Sequence, residues 1–310
     1  MKIVITGGAG FIGSHLGEAL IARGDEVFIL DNFTSGKREN VPPEANFWEN
    51  DIGTSDYLSS YFDSICPHVV VHAAASIKDP DNWVEDVQTN VIGTINVINA
   101  CKEFNIPRLI YLQTSLCYGF PQEHPITLNH PINPTKSSYP ISKTAAERYI
   151  QMSELDYVSF RLANCYGPRN LSGPFATFYR ELTGGRLCTV VDAKRDFVYI
   201  TDLIRVLLRG IDGIGEGVYH VSSGVENSIL KVYDLVSKEL GIIKDPILQP
   251  RGIDDVPTLL LDSTRTTEDF GIKPEVLLEE GIIETIKWYQ EHGVGETYTH
   301  LRGLEGERQQ

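Results

Sequence analysis

The segment ITGGAGFIGSHL, from Ile5 to Leu16, constrains the fold more than any other stretch of this chain. It links a short apolar run, Lys2–Thr6, to a helical pattern over Gly10–Arg23. Gly7, Gly10 and Gly13 stand in a GxxGxxG spacing, and each glycine has its own task. Gly7 permits a tight turn. Gly10 removes a side chain where a pyrophosphate would approach backbone N–H groups, and Gly13 lets helix and strand come close. The helix N-terminus adds partial positive charge at the same place. Glu26–Leu30 reads as a second strand, and Asp31 follows it, 18 residues after Gly13. A carboxylate there accepts hydrogen bonds from a ribose 2′-hydroxyl and repels a 2′-phosphate, which favours NAD over NADP. Lys37 and Arg38 are the opposing signal: they either reach a phosphate or form a solvated basic turn.

The alternation continues along the chain. Phe47–Glu49, His68–His72, Arg108–Gln113 and Tyr157–Leu162 read as strands, with helices over Thr54–Phe62, Val84–Phe104 and Ser138–Ser153. Apolar strands separated by helices predict an α/β fold, a Rossmann-type doubly wound parallel sheet covered on both faces. After Leu162 glycines and prolines thicken (GPRNLSGP), and the βα rhythm returns over Thr201–Arg209 and Val218–Val221. A helix at Leu230–Leu240, a strand near Thr258–Leu261 and a helix at Glu279–Glu291 follow. The pattern predicts an NAD-binding domain, residues 1–163 with about 200–223, and a smaller mixed α/β substrate domain, residues 164–199 and 224–310. The polar end, Gly303–Gln310, is expected to fray.

Charge narrows the partners. With 27 basic and 42 acidic residues the chain carries −15, which argues against nucleic acid. A helix end still outweighs that field for one nucleotide-sized anion. No run of ~18 apolar residues occurs, so no membrane span is expected, and the opening MKIVITGG lacks the pattern of a signal peptide. Cys66, Cys101, Cys117, Cys165 and Cys188 are dispersed and form no CxxC pair, which predicts free thiols in a reducing cytoplasm. No His/Asp/Glu spacing suggests a metal.

The chemistry centres on SSYPISKTAAERY, where Tyr139 and Lys143 stand at i and i+4 and share a helical face. An ammonium beside a phenol favours the phenolate and pulls its pKa down from ~10. Such a phenolate can take the proton of a sugar hydroxyl while hydride leaves the same carbon. The strand ending at Gln113 is followed by Thr114, at the carboxyl edge of the sheet where ligands bind, and its hydroxyl is placed to share that proton.

These stretches, with HAAAS at His72–Ser76, TSLCYG, RLANCYGP and KRDFVYITD, occur in an order that resembles the extended short-chain dehydrogenase/reductase family. The likeness is to its nucleotide-sugar epimerase/dehydratase branch, and it covers nearly the whole chain. DNFTSGKREN resembles the matching stretch of UDP-sugar 4-epimerases, and the whole is similar to epimerases of O-antigen gene clusters, which make polysaccharide. The resemblance implies that Gly7, Gly10 and Gly13 hold the NAD pyrophosphate with the N–H groups of Phe11 and Ile12. It places Asp31 and Asn32 at the adenosine ribose, Asp51 and Ile52 at the adenine, and Ala73, Ala74 and Ala75 along the cofactor. Asn90 would buttress the site. Thr114, Tyr139 and Lys143 match the catalytic triad, and Asn164 and Arg251 match residues at the diphosphate of a nucleotide-sugar, expected to be UDP-linked. Family members usually pair two helices per subunit, so a homodimer through Val84–Phe104 and Ser138–Ser153 is expected.

Departures sort the reactions. Related 4,6-dehydratases carry an Asp-Glu pair after the catalytic Thr, and UDP-glucuronate decarboxylases keep the Glu. This chain has Ser115 and Leu116, and leucine transfers no proton. Oxidation and reduction at C4 are therefore favoured, as in a 4-epimerase. The alternatives are a 4-ketoreductase or unusual dehydratase, and a non-catalytic NAD-binding sensor. Pro140 replaces the usual Gly or Ala, which a first helical turn tolerates. Val190–Lys194 replaces a Gly-Asp-Gly turn before Arg195, a region that commonly nears the base. Arg180 either pairs with a uronate carboxylate or is an exposed helix Arg. His72, His15 and His220 read as structural or exposed, Cys117 as a packed thiol, and Glu279–Glu280 as a helix N-terminal charge pair.

Overall fold

The computed structural model describes residues 1–54, 57–134, 137–252 and 255–298. Its main sheet has six consecutive strands: β1 (Lys2–Thr6), β2 (Glu26–Asp31), β3 (Asn46–Glu49), β4 (Val69–His72), β5 (Leu109–Thr114) and β6 (Tyr157–Leu162). The strand Gly217–Val221 joins beside β6. The order across the sheet is Gly217–Val221, β6, β5, β4, β1, β2, β3, and every neighbouring pair is parallel. Strand order reverses between β1 and β4, which opens a crevice at their carboxyl ends. Alternate residues feed opposite faces: Ile3 and Ile5 join one apolar core, and Val4 joins the other. This two-sided burial is why the strands read as unbroken apolar runs.

The helices between these strands are α1 (Phe11–Arg23), α2 (Leu58–Ile65), α3 (Trp83–Asp86), α4 (Thr94–Glu103) and α5 (Ser138–Met152). The helix expected from Thr54 is described from Leu58, four residues later, and residues 55 and 56 lie outside the described residues. The single helix expected over Val84–Phe104 is interrupted: Val87–Gly93 winds as a π-helix. Its wider turn sets Asn90 inward. Asn90 Oδ1 accepts from the Ser76 N–H, and Nδ2 donates to the Ser76 carbonyl and the Ser142 hydroxyl oxygen. Periodicity does not reveal such a turn, because the apolar residues on either side keep a helical spacing.

The remaining residues build a second sheet around a strand, Lys194–Tyr199, flanked by Asn164–Tyr166, Glu226–Ser228 and Thr258–Leu259. Sequence patterning shows this central strand only as a motif, because it buries two charges. Arg195 pairs with Asp255, and Asp196 accepts the N–H groups of Ser223 and Gly224. A helix at Pro174–Thr183, opened by its proline, and the parallel pair Thr189–Val191 with Ile247–Gln249 were likewise not anticipated. Helices Ile229–Leu240 and Leu278–His292 complete this part. Glu279 and Glu280 sit in the first turn of the latter, where Glu280 accepts the Leu277 N–H and Glu279 pairs with Lys231. Gly303–Gln310 lies outside the described residues. Among the described residues no helix is long and apolar enough to cross a membrane, and no cluster of His, Cys, Asp or Glu is placed to hold a metal.

Two buried histidines tie strands to their surroundings. His72 Nδ1 pairs with the Thr6 hydroxyl at 2.7 Å and Nε2 with the Thr94 hydroxyl at 2.9 Å. His220 Nε2 pairs with the Tyr118 hydroxyl at 2.6 Å. Burial holds His72 down at about 3 and His220 at about 4. The unfolded chain takes protons on both as pH falls through ~6.5, while the folded chain does not, so they withdraw stability on acidification. Asp196, pushed up by burial to about 6, opposes part of this. The urea midpoint should therefore fall between pH 7.5 and pH 5, and fall less in His220→Gln; an equal decline in that variant would show that the imidazole is not responsible.

Candidate active site

The turn after β1 brings backbone against backbone. Gly7 has φ 72°, and a Cβ there would stand 2.6 Å from the Ala74 nitrogen and Cα at the exit of β4. A Cβ on Gly13 would stand 2.3 Å from the Gly7 carbonyl oxygen. Gly10 differs: its Cβ would meet only that carbonyl, at 3.2 Å. Two glycines are thus demanded by the protein's own packing, and Gly10 is left bare toward open space. That space is a cavity of about 520 Å³, lined by Gly7, Gly10, Phe11, Ile12, Gly13 and Asp31 at one end. Ala73, Ala74 and Ala75 form a wall of small side chains, and Thr114, Tyr139 and Lys143 meet beyond them. All three catalytic candidates therefore share one cavity with the glycine turn.

Asp31 is buried and already accepts the N–H groups of Ala9 and Phe33, at 2.9 and 2.8 Å, one on each oxygen. Its remaining lone pairs are available to a ribose. Asn32 donates to Asp51 at 2.8 Å. Asn32 and Ile52 line a smaller adjoining cleft; Asp51 lines neither space and instead orders the turn by accepting the Gly53 N–H. Asn90 also lines neither. It lies behind the wall and reaches the catalytic helix through Ser142, whose hydroxyl donates to the Tyr139 carbonyl. Lys37 and Arg38 resolve as a turn engaged with carboxylates, Lys37 with Glu39 and Arg38 with Glu49. Arg38 also lies over the rings of Phe33 and Phe47.

The electrostatics of the Tyr139–Lys143 pair differ from expectation. Lys143 is only 2% exposed, and burial lowers it to about 7. Tyr139 is pushed up from its ordinary value by burial, with the Asp86 carboxylate and the Tyr298 phenol adding to the rise. Desolvation thus outweighs the mutual attraction expected from the i,i+4 spacing, and the resting pair is far less ionised than a phenolate beside an ammonium. Sequence patterning missed the residues that hold Lys143. Its ammonium sits 4.1 Å from the Tyr111 ring centroid, and its carbonyl accepts from the Tyr111 hydroxyl and the Gln113 amide. Both lie on β5, where they read as ordinary strand residues. Asp86, where Ser76 donates to Oδ1 at 2.8 Å, keeps Oδ2 without a hydrogen-bond partner. Thr114 Oγ1 accepts the Leu116 N–H at 3.2 Å, which leaves the hydroxyl proton for another acceptor. Cys117 is buried and its thiol pushed up to about 12, a packing residue.

At the far end the cavity is lined by Asn164, Phe175, Val191, Arg195, Ile229 and Asp255. Arg195 is the guanidinium there, held against Asp255. Arg251, expected at this end, is not part of the wall; it donates to the Asp255 carbonyl at 3.3 Å. Arg180 also stays outside, turned to Glu181 at 3.0 Å.

Comparison with known proteins agrees with this geometry. A model of the NAD dependent epimerase/dehydratase family matches residues 3–221. A protein of Methanocaldococcus jannaschii described as a putative UDP-glucose 4-epimerase is 32% identical over 301 residues, 92% of this chain and 97% of that one. The Bordetella bronchiseptica enzyme WbmH, solved with NAD+, superposes with a TM-score of 0.90 at 44% identity, covering 94% of this chain and 99% of that chain. WbmG of the same organism, solved with NAD and UDP, also gives 0.90, at 40% identity over 98% and 99%.

The glycine geometry separates folding from binding. Gly10→Ala should unfold near the temperature of the unaltered chain yet purify with less dinucleotide. Gly13→Ala should lower the melting temperature as well. Equal dinucleotide content in Gly10→Ala, measured by absorbance after denaturation, would remove Gly10 from the binding turn.

Proposed function

The chain belongs to the NAD dependent epimerase/dehydratase family, and from that premise we propose that it is a nucleotide-sugar 4-epimerase acting on a UDP-linked hexose or its uronate or acetamido derivative. One observation carries the reading. Thr114, Tyr139 and Lys143 share a cavity with a glycine turn and an apolar groove ending at Arg195, while Leu116 and Ser115 replace acidic groups beside them. The cavity therefore offers a base for one hydroxyl and no carboxylate placed after Thr114 to drive elimination.

The residues fit NAD. Gly10 lacks a side chain where the pyrophosphate needs backbone contact, Asp31 keeps lone pairs for the ribose, and Ala73–Ala75 leave a narrow slot. When bound, NAD supplies a hydride acceptor and donor and a formal positive charge. That charge favours the Tyr139 phenolate, and the phenolate in turn favours the Lys143 ammonium. Tyr139 then takes the proton from the sugar 4-hydroxyl and returns it. Thr114 donates a hydrogen bond to the same oxygen, which steadies it as it becomes a carbonyl. Lys143 supports the phenolate by its charge, braced by Tyr111 and Gln113. The ketosugar must turn in the cavity before the hydride returns to the opposite face. Retained cofactor distinguishes this cycle from a ketoreductase, which must exchange it.

Arg195 and Asn164 suit the diphosphate end, Arg195 by charge and Asn164 by its amide. A homodimer suits the surface. Val84 and Met152 are 80% and 74% exposed, and Val87, Ile92, Ile141 and Tyr149 join them on the stretch from α3 to α4 and on α5. Apolar side chains gathered on two neighbouring helices mark an interface. A Met152→Glu, Val84→Glu double variant should shift the chain toward monomer in sedimentation; an unchanged assembly would place the interface elsewhere.

The substrate is tested by proton NMR with a panel of UDP-sugars and no added cofactor. Growth of the opposite H4 coupling pattern is expected for the sugar it accepts. Tyr139→Phe should lose ~10²–10⁴-fold in turnover and keep its dinucleotide. Near-normal turnover in that variant would overturn the assignment, and dinucleotide binding without turnover of any sugar would favour a sensor.

A further inference from the structure

The final described segment runs back over the cavity. Helix Leu278–His292 ends at Gly293, whose φ of 74° turns the chain away. Val294 packs against the core. Glu296 comes within 3.7 Å of Lys78, next to the cavity residue Ile77. The Tyr298 N–H donates to the Leu171 carbonyl at 3.2 Å, and Tyr298 forms an isolated parallel bridge with Ser172, itself a cavity residue. The helix beneath is anchored to the same loop, since the Tyr289 hydroxyl donates to the Asn170 carbonyl at 2.5 Å. This strap therefore reaches the loop after β4 at Lys78 and the cavity wall at Ser172. The Lys78–Glu296 pair joins well-exposed side chains and contributes little. Backbone pairing and the seating of the ring do the positioning.

Tyr298 itself lines the cavity, in company with Tyr139. Its bridge to Ser172 sets it against the loop that also brings Asn170, Gly173 and Phe175 to this wall, and its phenol adds to the rise of the Tyr139 phenol. We propose that Tyr298 is a substrate-contacting residue that sets selectivity for the sugar. The inference rests on the nucleotide-sugar reading given above, in which Tyr139 acts at the sugar 4-oxygen, so a ring beside it borders the sugar. A phenol suits that place: its face covers the C–H face of a pyranose, and its hydroxyl donates to or accepts from a sugar oxygen. Burial pushes the Tyr298 phenol above its ordinary value, so the hydroxyl keeps its proton and can donate. Because the strap is fixed by its backbone, the ring forms a wall of set position, and sugars differing beside it are sorted by fit.

Calorimetric titration of the dinucleotide-loaded protein with UDP, UDP-glucose, UDP-N-acetylglucosamine and UDP-glucuronate tests this. In the unaltered chain at least one sugar should bind more tightly than UDP alone. Tyr298→Ala should reduce that advantage about tenfold or more, with the affinity for UDP and the dinucleotide content unchanged. Tyr298→Phe, which keeps the ring, should lose about fivefold, and for the sugar that is turned over the loss should appear in KM more than in kcat. An undiminished advantage in Tyr298→Ala overturns the proposal, as does parallel weakening of UDP and UDP-sugar, which marks a merely structural strap. A failure of the nucleotide-sugar reading shows in the unaltered chain instead, as binding of none of these compounds, and overturns both.

Discussion

Everything in this molecule is arranged around one backbone contact, the Gly7 carbonyl lying where the Cβ of residue 13 would be. Atoms this close allow no side chain, so β1, α1 and the exit of β4 are locked to one another at a single point. That point coincides with the place where strand order reverses. Packing and topology therefore open the crevice together. The catalytic candidates follow, because β5 lies beside β4 and α5 packs over β5, which places Thr114 and Lys143 in the same cavity as the glycines.

Burial then governs the chemistry. Lys143 and Tyr139 are both pushed toward their neutral forms. A site in which desolvation dominates is sensitive to any charge that enters it, because little water remains to screen the interaction. On the proposed reading, cofactor binding and activation of the base are thus linked through the electrostatics of the cavity. Asp86 belongs to the same balance. Its carboxylate is buried with one oxygen unpartnered, and it opposes ionisation of the Tyr139 phenol. The arrangement favours the phenolate only when a positive charge is present.

Most of the first sheet was legible in the sequence because its strands bury both faces and so show no alternation to misread. The glycine spacing and the Tyr139–Lys143 pair were legible because each is a local pattern. What stayed hidden has a physical reason in each case. The π-turn at Val87–Gly93 preserves apolar periodicity on both sides, so no break is visible. The strand Lys194–Tyr199 is central to the second sheet yet begins with charges, and only the distant Asp255 and Ser223 explain how they are buried. Tyr111 and Gln113 brace Lys143 from a different element, a relation that sequence distance conceals. Arg251 and Arg195 were the converse case: both are basic and near each other, but only the one on a strand facing inward reaches the wall.

The two ends of the cavity differ in how they are built, and this bears on how such a chain can change its substrate. The cofactor end is made from contiguous segments whose backbones touch, so few substitutions are tolerated there. The opposite wall includes Ser172 and Tyr298, from two separate parts of the chain, held to each other by an isolated bridge. A side chain in such a wall can be exchanged without disturbing the sheet beneath it. On the reading proposed above, hydride and proton transfer depend on the rigid half, while the sugar accepted depends on loops and a strap that lie at its edge. On the same reading the chemistry is fixed by packing and the selectivity is left to residues that packing does not need.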